Sequence, residues 1–145
     1  MLKHYALLVT FFLTPALGLA QDNPTVAKIT QFIKTKMNAD VKPKELPNKW
    51  VTWETPDDHF NIFYRPADAS IIFEYPFANL KAAVDKANEW NRDHATLSHA
   101  VVVKDQVMLE AIISVRGGAT EGYIGRFYDR LQAERLKFVK FCSDK

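Results

Sequence analysis

The side chains able to do chemistry are few. Beyond the N-terminal region the histidines are His59, His94 and His99, and the chain has one cysteine, Cys142. A zinc site needs three or four converging ligands, usually with close-spaced pairs among them. His94 and His99 stand five apart across a helix–strand junction, with no Cys or acidic partner in convincing reach. Asp57-Asp58-His59 reads as a solvated turn. No G-x-S-x-G elbow, H-E-x-x-H pair or phosphate-cradling glycine loop is present. A single cysteine excludes an intramolecular disulfide, and Cys142 reads as a small buried hydrophobe near the end of the last helix. The competing reading is a reactive or intermolecularly bonded thiol. The residues assign no catalytic, cofactor-binding or metal-ligating group.

Two other groups of residues point to contact rather than to catalysis. Residues 50–77 hold Trp50, Trp53, Phe60, Phe63, Tyr64, Phe73, Tyr75 and Phe77, more aromatics than one face of a sheet absorbs. Trp50, Trp53, Phe63 and Tyr64 are the candidate interaction surface, for a protein partner or for self-association. Arg126, Arg130, Lys137 and Lys140 place positive charge on the last helix. Asp129 and Glu134 interrupt it, so this stretch reads as a solvated face and not as a nucleic-acid site.

The elements that must position these residues follow from patterning. A first helix is predicted from about Pro24 to Asn38, with Asn23 as its cap, Pro24 at the first helical position, and Val26, Ile29, Ile33 and Met37 on one face. Residues 40–49, with Pro43 and Pro47, read as a connector. Three short strands are expected at 50–54, 60–64 and 71–75, separated by turns in which Pro precedes an acidic residue. A second helix spans about 79–92, capped by Asn79. A hairpin with arms at about 96–103 and 106–115 turns at Lys104-Asp105, its second arm alternating in side-chain character. Gly117-Gly118 ends that strand, and Thr120 caps a last helix carrying Ile124, Phe127, Leu131 and Phe138 on one stripe. The expected order is α-β-β-β-α-β-β-α, an α+β fold with an antiparallel sheet and flanking helices.

The first 20 residues have a different character. Lys3 and His4 precede an apolar run from Ala6 to Leu13, Pro15 follows, and Gly18-Leu19-Ala20 sets small residues before a cut between Ala20 and Gln21. That is the order of a cleavable export signal, and the run is too short for a membrane-spanning helix. The expected product is one domain, residues 21–145, periplasmic or secreted, with no stable membrane anchor after cleavage. Loss of Lys3 from the 19 basic residues leaves 18 against 17 acidic ones. This balance exerts no general pull on nucleic acid.

Asn88-Glu89-Trp90-Asn91-Arg92 resembles the N-x-W-N signature of the YbjN family of bacterial sensory-transduction regulators. The likeness continues over residues 70–142, through Ile71-Ile72-Phe73-Glu74-Tyr75-Pro76-Phe77 before the second helix and Gly117-Gly118-Ala119-Thr120 before the last. The resemblance implies a fold like that of type III secretion chaperones, no enzymatic activity, no cofactor and a role in regulation or chaperone-like binding. Members are often dimeric, so a homodimer is implied as well. The sequence departs from the family at its hairpin turn, Lys104-Asp105-Gln106, and in residues 50–64. Within the motif, Trp90 reads as a buried face against the sheet, Asn91 as a bond to backbone where the helix ends, and Gly117 and Gly118 as backbone necessities. The first function class is thus an exported, non-catalytic binding or regulatory domain. The second is a small periplasmic hydrolase or metal-dependent enzyme, which would show a cleft with converging polar groups or a bound metal.

Overall fold

The computed structural model describes residues 23–53, 55, 60–77, 84–104 and 106–143. The export segment with its Ala20–Gln21 cut, the Asn79 cap, the acidic turn with His59, and Asp105 lie outside the described residues. The elements run α1 (Pro24–Met37), β1 (Pro43–Glu45), β2 (Val51–Trp53), β3 (Asn61–Arg65), β4 (Ser70–Phe77), α2 (Val84–Asp93), β5 (His99–Val103), β6 (Gln106–Ser114) and α3 (Glu121–Ser143). The fold is mixed α+β. The supposed connector 40–49 contains one more strand than patterning predicts. Three residues with a Pro carry no periodicity, and β1 exists only because Lys44 pairs with Thr52 across an antiparallel ladder.

All pairings are antiparallel, in the order β1-β2-β3-β4-β6-β5. The long central pair aligns Ser70–Phe77 of β4 with Ser114–Val107 of β6. Alternation along a strand sends successive side chains to opposite faces. One face carries Val51, Trp53, Ile62, Tyr64, Ile71, Phe73, Tyr75, Val107, Leu109, Ala111 and Ile113, all buried. The helices lie on this face, and Ile29, Phe32 and Ile33 of α1, Ala87 and Trp90 of α2, and Ile124, Leu131 and Phe138 of α3 complete the core. Aromatic edges knit the layers: Phe60 stacks on Tyr75 at 4.5 Å and meets Tyr128 edge-on at 5.5 Å, and Phe77 packs on Phe138 at 5.4 Å.

Local chemistry sets the helix ends. The Asn23 side chain accepts from the Thr25 and Val26 amides at 2.9 and 3.4 Å. Thr120 Oγ1 accepts from the Tyr123 amide at 3.1 Å. Such bonds satisfy amides that have no partner inside the helix. Gly118 has φ +94, where side chains are disfavoured, and its amide closes a turn on the Val115 carbonyl at 2.9 Å. Lys104 also sits at positive φ, 49°, in the two-residue β5–β6 connection, so a lysine occupies a position that usually takes Asn, Asp or Gly.

Candidate interaction surface

Among the described residues no helix packs on the opposite face of the sheet. Its residues form cross-strand rows that can be read from the register. Thr52, Phe63, Ile72 and Ile112 make one row over β2, β3, β4 and β6. Asn61, Glu74, Glu110 and His99 make the next, over β3, β4, β6 and β5. Pro76, Met108 and Val101 make a third. An apolar row thus lies on each side of a polar one. Ile112 is 43% exposed, whereas Ile72 beside it is only 3% exposed although it belongs to no helix-covered layer.

At one end of the first row, Trp50 and Phe63 meet edge-on at 6.2 Å, and the Arg65 guanidinium lies 5.6 Å from the Trp50 ring centre. Arg65 is itself held. It forms an ion pair with Asp68, its Nε donates to Asp68 Oδ1 at 2.8 Å, and Ser70 Oγ donates to the same oxygen at 2.8 Å. The hydrogen bond from Arg65, then that from Ser70, holds the Asp68 carboxyl down to about 2, from an ordinary 3.8. Between these values the unfolded chain binds a proton that the folded chain does not. The linked stability is therefore complete above the ordinary value and is lost as pH falls towards the folded one. Denaturant melts of wild type and Asp68→Asn should diverge above about pH 4 and converge towards about pH 2. A constant gap across that window would exclude the pairing as their origin.

In the polar row, Glu74 and Glu110 face each other on adjacent strands. Burial, then the charge of Glu110, raises the Glu74 carboxyl above its usual range, against a lowering bond from Asn61. His99 Nε2 lies 3.0 Å from Glu110 Oε1. Among the described residues no group of three or more His, Cys, Asp or Glu side chains is placed to hold a metal ion. None of the helices among them is long and apolar enough to cross a membrane.

Two of the four candidate surface residues need correction. Trp53 is 2% exposed and Tyr64 5%, both on the helix-covered face. Trp53 donates its indole N–H to Thr30 Oγ1 at 2.9 Å, and Thr30 in turn donates to the Val26 carbonyl. Register decides this: Trp53 pairs with Ile62, and Thr52 with Phe63, so Trp53 falls on the core side. Trp50 and Phe63 remain partly exposed on the open face. Met108 and Ile112 join them on this face although the strand pattern does not single them out. The signal for them was the second apolar set within 106–114, where alternation is with Met and Ile as well as with Gln and Glu.

The motif residues do structural work. Trp90 is 2% exposed, edge-on to Phe138 at 5.0 Å. Asn91 donates from Nδ2 to the Ala100 carbonyl at 2.9 Å and accepts from the Ala100 amide at 2.6 Å. β5 is an edge strand, and this side-chain amide presents the donor and acceptor that a further strand would. Asn88 is exposed on α2. Gly117 has open space where a Cβ would stand, so of the two glycines only Gly118 answers a backbone constraint. Cys142 is half-buried against the core, where burial raises its thiol above the ordinary value.

A mixed α+β domain with one helix-covered and one open sheet face is the class of protein that these elements define. Residues 49–140 match the family profile of YbjN, described as "Putative bacterial sensory transduction regulator", and the chain belongs to this family. Among solved structures, the crystal structure of YbjN from E. coli, a putative transcription regulator, aligns with a TM-score of 0.49 at 12% identity, covering 80% of this chain and 89% of that one. No curated protein matches at a significant level.

Proposed function

We propose that this chain is an exported, non-catalytic regulatory module that binds a protein partner, or a second copy of itself, across the open face of its sheet. The observation that carries this reading is the face itself. It has two apolar rows on an antiparallel sheet, with Ile112 43% exposed and the Trp50–Phe63 pair at its rim. Monomeric proteins rarely leave contiguous apolar area without a use. Family membership supports a regulatory role. The envelope location rests on residues 1–20, whose charged start, apolar run and small-residue end fit an export signal.

A photo-crosslinking residue at position 112 tests the surface in living cells. Adducts to a partner or to a second copy are expected there, and none from the same probe at Leu136, which is exposed on α3. Adducts in the envelope fraction, from a chain whose N-terminus is Gln21, support the whole reading. A chain retained in the cytoplasm with Met1 in place overturns the export part alone. Equal labelling from both positions overturns the surface.

A further inference from the structure

We infer that this protein binds a small phosphate-bearing anion in a cleft between the end of α2 and the second half of α3, on the side of the molecule away from the open sheet face. The helix pattern 126, 130, 133, 137 and 140 falls on one narrow stripe, since steps of three and four return to the same side. Four of those five residues are cationic: Arg126, Arg130, Lys137 and Lys140. The two acidic residues that interrupt them in sequence are both engaged elsewhere. Asp129 pairs with Lys36 of α1 at 2.8 Å. Glu134 is 6% exposed and turned onto the 96–98 backbone, where Oε1 accepts from the amides of Thr96, Leu97 and Ser98. None of Arg126, Arg130, Lys137 and Lys140 makes an ion pair among the described residues.

Two adjoining hollows open along this stripe. One, of about 270 Å³, is lined by His94, Thr96, Leu97, Arg130, Glu134 and Lys137. The other, of about 390 Å³, shares His94 and Lys137 and adds Trp90, Asp93, Lys140 and Phe141. Asp93 is tied to Arg92 by two hydrogen bonds of 2.8 and 2.7 Å. With both carboxylates counted, the walls keep an excess of positive charge. A second observation is independent of charge. The Trp90 indole Nε1 is buried without a hydrogen-bond partner, on a residue 2% exposed that lines the second hollow. An indole nitrogen only donates, and a buried donor left unpaired is costly. The cleft therefore offers N–H donors from a guanidinium and ammonium groups, beside a buried indole N–H that still lacks a partner, and its carboxylates are already occupied. A tetrahedral, doubly charged phosphate group accepts from several directions at once and fits this set better than a single carboxylate. The volume suits a small molecule or a headgroup and not a folded partner.

The test uses the mature chain, labelled with ¹⁵N at the tryptophan indoles, with the Trp90 signal assigned through Trp90→Phe. Inorganic phosphate, glycerol phosphate and phosphatidylcholine vesicles containing phosphatidic acid are titrated in turn at constant ionic strength. Saturable displacement of the Trp90 N–H signal is expected, weakened about tenfold in Lys137→Gln and in Arg130→Gln, the size of one charge-assisted hydrogen bond. Lys34→Gln, on α1, should match wild type. Both test positions are exposed, so folding is not at issue. A response to the soluble phosphates alone makes the ligand a free phosphomonoester. Lys137-dependent vesicle binding as well makes it a headgroup. Either outcome supports the site. An equal response to chloride, a response unchanged in Lys137→Gln, or binding to an oligonucleotide alone overturns it.

Discussion

Replacing Glu134 by Ala is expected to lower folding stability by about 3 kcal/mol, because several part-buried donors lose their acceptor together. The carboxylate sits on α3 and reaches the stretch that leads into β5. Oε1 accepts from the amides of Thr96 at 3.2 Å, Leu97 at 3.3 Å and Ser98 at 3.2 Å, and from Ser98 Oγ at 3.0 Å. Oε2 accepts from Thr96 Oγ1 at 3.3 Å. Three successive amides converging on one oxygen form an anion-binding concavity, filled here by the protein's own side chain. Each bond is long, so no single one is strong. The loss arises from leaving the donors unpaired with little access for water. Glu134→Gln keeps an acceptor and the shape but not the charge, so it should cost about 1 kcal/mol. Urea denaturation gives both values. Amide exchange at 96–98 should accelerate in Glu134→Ala before exchange elsewhere does. A loss below that of Glu134→Gln would show that the carboxylate does not organise this stretch.

The second large effect is expected at Asn91. Asn91→Asp keeps the shape and the acceptor for the Ala100 amide, but it turns a charged oxygen towards the Ala100 carbonyl in place of the Nδ2 donor now 2.9 Å away. A cost of about 2 kcal/mol is expected, against about 1 kcal/mol for Asn91→Ala, in which water can reach the freed groups. The consequence goes beyond stability. β5 is the edge of the sheet after β6, and an exposed edge templates pairing with other chains. Loss of the Asn91 cap should speed exchange of the Ala100 amide and promote concentration-dependent association, visible by light scattering. Continued protection of that amide in Asn91→Ala would sink the edge-cap explanation.

These two residues also mark where sequence reading succeeds and fails. Asn91 was legible because its partner lies nine residues away, within one helix–strand unit. By sequence Glu134 is an interruption in a charged helix. Its partners are 36 to 38 residues distant, and nothing in local pattern says which way a lone Glu at a helix flank turns. The same contrast separates the aromatics. The alternation that puts Phe60 and Tyr64 on one side and Phe63 on the other is local. Which side receives the helices is not, and that choice buried Trp53 and Tyr64 while leaving Trp50 and Phe63 at the rim.

What the sequence determined by itself was set by short-range physics. Helical spacing in 24–37 and 121–143, alternation in 70–77 and 106–114, the Asn23 and Thr120 caps and the α+β class all follow from periods and from hydrogen bonds spanning a few residues. Only the tertiary structure decided the rest. It added β1, a strand with no pattern of its own that forms because β2 offers it a ladder. It chose the covered face of the sheet, turned Glu134 inward and paired Asp129 with α1, which leaves a cationic stripe where the linear order shows mixed charge. These outcomes depend on contacts between residues far apart in the chain. Their free energy comes from burial and from pairing across elements, quantities that no window of neighbouring residues contains.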